Sequence, residues 1–108
     1  MTEFFLTLRK TNEFLHWYDS LSVIHQVRID SRLENLRNLH FGLSRSLGNG
    51  LFELKWKNGL RVYFSRKRIA GFDVIVLWGG FKGTQDADIA KSYRLKMRYE
   101  HEFKNEAR

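Results

Sequence analysis

Apolar and polar residues alternate with a period of two over positions 51–57 and 60–66, and this alternation restricts the fold more than any other feature of the chain. Successive side chains of a β-strand point to opposite faces of a sheet, so a period of two is typical of strands. Turn-forming residues interrupt the alternation at Asn58 and Gly59 and again over 67–72. The sequence therefore predicts a meander of three antiparallel strands, at 51–57, 60–66 and 73–79.

The last of these strands is apolar at consecutive positions. Residues 74–78 read Val-Ile-Val-Leu-Trp and leave neither face polar. A strand that is apolar on both faces is covered on both sides and lies away from the edge of its sheet. We therefore expect the strand at 73–79 near the centre of the sheet.

The residues before the meander predict one strand and two helices. Residues 3–9 read as a short strand, and Thr11 is a suitable N-cap for a brief first helix. Ser22 can cap a second, longer helix that runs to about residue 40. The core-facing stripe of this second helix consists of Ile29, Leu33, Leu36 and His40.

Two further segments complete the pattern. Residues 41–50 lose the helical period and contain several glycines, which predicts a loop. Thr84 can cap a last helix over about 85–103, followed by a polar tail to residue 108. The predicted order is β-α-α-β-β-β-α, which is an α+β fold.

The turn between the first two meander strands decides which side chains share a face. A two-residue Asn-Gly turn sets the apolar face of one strand against the polar face of the next. A three-residue loop with a bulge pairs Lys57 with Arg61 and Lys55 with Tyr63, so that the apolar faces coincide. Misplacing two large side chains costs on the order of several kcal/mol, far more than a bulge. We therefore predict the bulged register.

The bulged register gathers basic side chains on a face that the alternation predicts to be exposed. Lys57 and Arg61 lie opposite one another beside Lys55, and like charges so placed repel by roughly a few tenths of a kcal/mol. An anionic ligand relieves that repulsion, which favours a phosphate-bearing partner such as RNA. Long basic side chains on an ordinary solvated surface explain the same pattern, so both interpretations stay open.

Composition agrees with one small folded domain that has a basic surface. The chain of 108 residues matches the usual size of a domain, so we expect a single domain over 1–108. A hydrophobic content of 43% suffices for a core. Nineteen Lys and Arg against twelve Asp and Glu give a formal charge of +7, as expected of a partner for nucleic acid or for an acidic protein.

Several classes of site are absent from the sequence. Cysteine does not occur, which excludes disulfides and thiolate metal sites. The histidines lack metal-ligand spacing and no paired carboxylates suit Mg²⁺, so no metal or other cofactor is predicted. The first ten residues carry Glu3, Arg9 and Lys10 around a short apolar run, too little for a signal peptide or a membrane span. We therefore expect a cytoplasmic protein that does not associate with membranes.

Three stretches of the chain resemble one known group of proteins. They read Gly-Asn-Gly-Leu-Phe-Glu-Leu-Lys at 48–55, Gly-Leu-Arg-Val-Tyr-Phe at 59–64, and Leu-Trp-Gly-Gly-Phe-Lys-Gly-Thr-Gln-Asp-Ala-Asp-Ile at 77–89. Together they resemble the addiction-module killer proteins, also called HigB-like, of the RelE/ParE toxin superfamily. The helical segment 12–40 fits the same family, so the resemblance covers most of the chain.

The resemblance implies a fold and a function. The implied fold is RelE/ParE-like, with a small twisted antiparallel sheet, an N-terminal helical hairpin and a C-terminal helix. The implied function is that of the toxin in a type II toxin–antitoxin module, a ribosome-dependent and metal-independent mRNA endoribonuclease that inhibits translation. The implied partners are the ribosome, mRNA and a cognate antitoxin protein of the helix-turn-helix type.

The same resemblance assigns roles to particular residues. The family's conserved basic strand residues fall on Lys55 and Arg61, and its basic residue after the last strand falls on Lys82, which we assign as catalytic residues that hold the phosphate. Lys55 stands where the family has arginine, which keeps the charge but gives up bidentate phosphate contact. The Tyr or His that RelE-type enzymes often carry near the C-terminal end has no counterpart between Lys82 and Ala90.

Further residues are candidates for proton transfer and RNA contact. We assign Tyr63 and Glu53 as additional catalytic residues, although Tyr63 can equally stack on a base or shield the sheet, and Glu53 can be a counter-ion. Lys57, Arg66 and Arg45 are assigned to RNA binding. Two other functions stay open: a ParE-like inhibitor of DNA gyrase, and a basic module that binds protein or RNA without catalysis.

Overall fold

The computed structural model describes residues 5–42, 44–68 and 71–106. Within these ranges, three helices and five strands follow the order β-α-α-β-β-β-β-α, so the predicted α+β class is confirmed. They are β1 (Leu8–Lys10), α1 (Asn12–Asp19), α2 (Val23–Arg37), β2 (Ser44–Gly48), β3 (Leu51–Lys55), β4 (Arg61–Ser65), β5 (Val74–Gly80) and α3 (Gln85–Glu106).

The five strands form one sheet in the order β1-β5-β4-β3-β2. β1 pairs with β5 in parallel, and every other neighbouring pair is antiparallel. β5 is thus flanked on both sides, and its positions 74–77 are buried. The predicted location of this strand inside the sheet is confirmed.

Helices cover both faces of the sheet. Phe14 of α1 and Ile29 of α2 belong to a core cluster that includes Val62 of β4. Leu95 of α3 belongs to a second cluster, which includes Leu77 of β5, on the opposite face. The meander is therefore a central layer between two helical layers. In the part of the chain that the structure describes, no helix has both the length and the apolar character that crossing a membrane requires.

The helix starts agree with the sequence, and one helix end does not. The side chains of Thr11 and Ser22 cap α1 and α2 by accepting backbone N–H groups, as predicted. α2 ends at Arg37 rather than near residue 40, because Leu39 takes a φ of 69°, which a right-handed helix does not accept. α3 begins at position 85 as predicted and continues to Glu106.

The first strand is shorter than predicted. The sequence predicts a strand over 3–9, and the structure places β1 at Leu8–Lys10. Residues 3 and 4 of the predicted strand lie outside the described residues, as do positions 107 and 108 of the predicted tail.

A strand lies where the sequence predicted a loop at 41–50. β2 pairs with β3, with Arg45 opposite Glu53, and Asn49 takes a φ of 52° in the turn that joins the two strands. The sequence of β2, Ser-Arg-Ser-Leu-Gly, is polar, as is common for strands at the edge of a sheet. The loop prediction was wrong because this segment becomes a strand by forming hydrogen bonds with β3. Its own residues do not have the apolar alternation by which a strand is recognised in a sequence.

The register of the β3–β4 hairpin differs from the predicted one by two residues. Lys55 lies opposite Arg61, whereas the sequence predicted Lys57 in that position. Trp56 and Leu60 are both buried between the strands, and the N–H of Trp56 donates to the carbonyl oxygen of Leu60 at 2.9 Å. Placing both side chains in the core needs a longer connection than the predicted loop. A shift of two residues leaves every side chain on its predicted face.

The face of the meander that the sequence predicted to be exposed is covered by α3. Glu53 is 1% exposed, Arg61 5% and Tyr63 0%. Leu95 and Tyr99 of α3 pack in the cluster on this face. The prediction was wrong for these three residues, because a long helix supplies a second apolar layer above them, and right for Lys55 and Lys57, which are exposed.

A cluster of polar groups ties α3 to α1. Glu13 of α1 accepts hydrogen bonds from Arg98 and Tyr99 of α3. Burial opposes ionisation of Glu13, but the hydrogen bonds from Tyr99 and Arg98 outweigh it and lower the pKa of the carboxyl below its usual value of 4.5. The ionised carboxylate is therefore the form that joins the two helices.

We expect acid to weaken the fold partly through Glu13. A carboxyl whose pKa is lowered by folding stabilises the fold above its unfolded pKa and loses that contribution as the pH falls toward its folded pKa. The Tm of the Glu13→Gln variant is therefore expected to fall less than the wild-type Tm between about pH 6 and pH 3. Circular dichroism at several pH values measures the difference.

The matched control is Glu34→Gln, because Glu34 pairs with Arg37 on an exposed part of α2, where both side chains are about half exposed. This variant is expected to follow the wild-type pH dependence closely. A Tm gap between wild type and Glu13→Gln that stays constant with pH would contradict the assigned role of the Glu13 carboxylate.

Candidate functional site

The turn between β3 and β4 is bonded to the residue that follows β5. Gly59 takes a φ of 93°, and its carbonyl oxygen accepts a hydrogen bond from the backbone N–H of Lys82 at 2.8 Å. The same oxygen accepts from Nη1 of Arg61 at 3.1 Å. A Cβ atom at Gly59 would lie 2.9 Å from the Cβ of Lys82, so the contact requires glycine. The turn therefore fixes Arg61 and Lys82 next to each other.

Three exposed lysines surround this turn. Lys55 ends β3, Lys57 lies in the turn and Lys82 follows β5. We call Lys55, Lys57 and Lys82 the lysine cluster. Since Lys55 lies opposite Arg61 in the ladder, the buried guanidinium adds a fourth positive charge beneath the three ammonium groups. The cluster is therefore a positively charged surface at one end of the sheet.

Arg32 of α2 supports the backbone beneath this surface. Its Nη1 donates to the carbonyl oxygen of Lys55 at 2.6 Å, and its guanidinium lies 4.3 Å from the ring centroid of Trp56. Burial lowers the pKa of Arg32 below its usual value. The sequence does not reveal this role, because Arg32 lies outside the apolar stripe of its helix and no local pattern connects it with Lys55.

Glu53 is the centre of a charge network between the sheet and α3. Its Oε1 accepts from Nη2 of Arg45 at 3.1 Å, and its Oε2 accepts from Nε2 of Gln85 at 3.3 Å. Oε2 also lies 3.7 Å from Nε of Arg61 in an ion pair. Glu53 is therefore a counter-ion for two arginines. The contribution of Gln85 depends on the packing of α3 and has no signal in the sequence.

Tyr63 lies buried beside this network. Its hydroxyl has no hydrogen-bond partner among the described residues. Burial raises the pKa of Tyr63 well above its usual value of 10.0, and the negative charges of Glu53 and Asp88 raise it further. The hydroxyl is therefore protonated at neutral pH and can donate a hydrogen bond. With α3 in place the ring shields the sheet and is closed to a stacked base.

The structure thus brings most of the predicted site residues together, in two layers. The lysine cluster is exposed, and Glu53, Arg61 and Tyr63 lie buried below it, with Arg45 reaching Glu53 from the edge strand. Arg66 is separate from both layers. It follows the other end of β4, roughly 16 Å from Arg61 along the strand, and its guanidinium lies 3.8 Å from the ring centroid of Phe41.

Comparisons with known proteins bear on the fold and the family. A protein of Haemophilus influenzae described as uncharacterized is 33% identical over 93 residues, which cover 83% of this chain and 92% of that protein. The crystal structure of the isolated E. coli RelE toxin matches with a TM-score of 0.60 at 16% identity and covers 76% of this chain and 94% of the toxin chain. No family model matches the chain. The predicted RelE-like fold is confirmed.

Proposed function

The chain belongs to the same family as the Haemophilus influenzae protein and has the fold of the RelE toxin, and from this we propose that it is the toxin of a type II toxin–antitoxin module of the HigB-like group. The proposed activity is metal-independent, ribosome-dependent cleavage of mRNA in the cytoplasm. The observation that carries the proposal is the lysine cluster above the buried Arg61–Glu53 pair.

The lysine cluster supplies what RNA cleavage by the 2′-hydroxyl requires. The 2′-hydroxyl gives its proton to solvent water as its oxygen attacks the adjacent phosphorus, which passes through a pentavalent state with additional negative charge. The bond to the 5′-oxygen then breaks, the 5′-oxygen leaves with a proton, and a 2′,3′-cyclic phosphate remains. Lys55 and Lys82 contact the oxygens of this phosphate, and Lys57 contacts a neighbouring phosphate. Lysine binds phosphate as a point charge, so the orientation comes from the rigid turn at Gly59 and not from a bidentate contact.

The buried layer acts on the same phosphate from below. Arg61 is held by Gly59 and Glu53, so its charge is fixed before RNA binds, and a fixed charge in a poorly hydrated site acts more strongly than one in water. Glu53 is a positioning residue for Arg61 on this proposal. Tyr63 keeps its proton and is the proposed donor to the leaving 5′-oxygen, a role that requires the start of α3 to move away from the sheet.

The remaining predicted residues extend the RNA contact. Arg45 has a side chain that is 63% exposed, next to the network at Glu53, and is proposed to bind the RNA backbone there. Arg66 lies at the far end of β4 and is proposed to meet a more distant part of the RNA or the ribosome. Both contacts add affinity that falls as the salt concentration rises.

A protein partner is part of the proposal. The formal charge of +7 favours an antitoxin with an acidic segment that covers the lysine cluster. The first turns of α2 also present exposed aliphatic side chains, since Val23, Ile24 and Val27 are 71%, 64% and 60% exposed. An exposed apolar stripe of this kind supports a protein contact in addition to the electrostatic one.

A translating extract tests the proposed activity. The wild-type protein is expected to truncate an mRNA while ribosomes translate it and to leave the same mRNA intact when translation is blocked, as primer extension can show. Intact mRNA together with stalled DNA replication would reject the enzyme and support a gyrase inhibitor. Intact mRNA with normal replication would support a basic module without catalysis.

The variants Lys55→Gln and Lys82→Gln are each expected to slow mRNA cleavage about tenfold or more, because a charge-assisted contact is worth about 1.5–3 kcal/mol. Lys67→Gln is the matched control, since it removes the same charge from an exposed lysine outside the cluster. Its cleavage rate is expected to stay within about twofold of wild type. Equal losses in all three variants would show that only overall charge matters.

A further inference from the structure

A cavity opens between α1 and α3 beside β5, away from the lysine cluster. Its volume of about 400 Å³ falls in the usual range for small-molecule sites. The side chains that line it include Asn12, Glu13, His16, Trp78, Lys91 and Arg98. The site residues assigned above are all absent from this lining, so the cavity has no role in the proposed cleavage.

The short first strand explains why a cavity forms here. β1 ends at Lys10, opposite Val76, so among the described residues the last part of β5 has no strand neighbour on that side. α1 begins at this open edge, where Oγ1 of Thr11 donates to the carbonyl oxygen of Leu77 at 2.8 Å. α1 and α3, which lie in different layers, therefore meet across the edge of β5, and Glu13 joins them at one side of the cavity.

The α3 side of the cavity is cationic. Lys91 and Arg98 line it, and both also line an adjoining hollow together with Arg94, so three positive charges follow one face of the helix. Two carboxylates face Arg98, since Glu13 binds it and Oε1 of Glu102 lies 3.7 Å from its Nε. Lys91 takes part in no ion pair among the described residues. Its charge is available to an anion.

The other walls of the cavity suit a flat, hydrogen-bonding group. Trp78 contributes a partly buried indole ring, over which the ammonium of Lys91 lies 3.7 Å from the centroid. Nε1 of Trp78 donates to Oδ1 of Asp88 at 3.0 Å, which fixes the ring. Asn12 and His16 offer exposed donors and acceptors at the mouth of the cavity. An inorganic anion makes no use of an aromatic wall, whereas a nucleobase does.

We propose that this cavity binds a nucleoside phosphate. On binding, the ammonium of Lys91 leaves the ring of Trp78 for the phosphate, which Arg98 also contacts, and the base takes its place against the ring beside Asn12 and His16. The ligand is either a free nucleotide or one nucleotide of an RNA chain, because the two share the same chemistry. The inference goes beyond the proposed function, since binding here requires neither the ribosome nor cleavage.

The indole N–H signals of a ¹⁵N-labelled sample test the proposal in the full chain. Addition of 5′-AMP is expected to shift the signal of Trp78, assigned with the Trp78→Phe variant, and to leave that of Trp56 in place, because Trp56 lies in the cluster on the opposite face of the sheet. Stronger binding of 5′-AMP than of a short single-stranded oligoribonucleotide would identify a free nucleotide, and the reverse order an RNA chain. An equal response to inorganic phosphate alone, or no response to any probe, would overturn the proposal.

Charge variants locate the bound ligand. Lys91→Gln is expected to weaken binding of 5′-AMP about tenfold, because it removes a charge-assisted contact to the phosphate. Lys67→Gln is expected to change it by less than about twofold. If Lys55→Gln weakened binding as much as Lys91→Gln, the nucleotide would lie on the lysine cluster and the proposal would be wrong. Cleavage of mRNA is measured in a separate assay. A negative result for nucleotide binding therefore does not affect the test of mRNA cleavage, and a negative result for cleavage does not affect the test of binding.

Discussion

Replacing Glu53 with alanine is expected to lower the free energy of unfolding by about 3–5 kcal/mol, which is the usual loss when a buried charge is left without its partner. Arg61 is 5% exposed and has Glu53 as its ion-pair partner, at 3.7 Å. The other charged group that Glu53 binds, Arg45, carries the same sign as Arg61 and cannot replace the carboxylate. Urea denaturation followed by circular dichroism measures the loss.

Two further variants separate the buried charge from ordinary loss of volume. Arg45→Ala removes the exposed partner of Glu53 and is expected to change stability by about 0–1 kcal/mol. The double variant Glu53→Leu/Arg61→Met removes both buried charges and is expected to be more stable than the sum of the single effects predicts. Strictly additive single effects would show that the pair is not coupled.

Replacing Gly79 with alanine is expected to lower the free energy of unfolding by about 3 kcal/mol through overpacking. Gly79 lies in β5 against α1, and an added Cβ would be 2.1 Å from Cζ3 of Trp17. The indole ring has little room to move away, because the ring centroids of Trp78 and Phe81 both lie 6.4 Å from its own. Thermal and urea unfolding of the variant provide the measurement.

Gly42→Ala is the matched control, since no heavy atom lies within 4 Å of the position its Cβ would take. Its effect is expected to stay within about 0.5 kcal/mol. In a Trp17→Leu background, Gly79→Ala is expected to be much less destabilising, because a smaller side chain leaves space for the methyl group. An unchanged penalty in that background would rule out contact with Trp17 as its cause.

The same contacts give a physical reason for the Trp-Gly-Gly part of the sequence pattern. A Cβ at Gly80 would lie 2.0 Å from Oδ2 of Asp88, so the second glycine admits this carboxylate as the first admits an indole ring. Asp88 accepts from Nε1 of Trp78 at 3.0 Å and from Oγ1 of Thr84 at 2.6 Å. The segment from the end of β5 to the first turns of α3 is therefore one hydrogen-bonded unit. Packing and hydrogen bonding within this unit explain the spacing between the two glycines and Asp88 in the sequence.

The candidate site was partly predictable. The face shared by Lys55, Arg61 and Tyr63 follows from alternation, which survives a register shift of two residues. Burial of Arg61 and Tyr63 was not predictable, since it depends on α3, which follows much later in the chain. The roles of Gln85 and Arg32 were also not predictable, because each bonds to a residue of another element and the local sequence pattern does not indicate that partner.

The sequence by itself determined the helix starts at Thr11 and Ser22, the inner position of β5 and the faces of the meander, because each depends on residues within a few positions along the chain. Only the tertiary structure decided that β2 is a strand and that Glu53, Arg61 and Tyr63, on the polar face of the meander, are buried. β2 receives its hydrogen bonds from β3, and α3 excludes water from Glu53 and Arg61. Both outcomes depend on contacts between segments that are far apart in the chain, and the local sequence pattern does not predict such contacts.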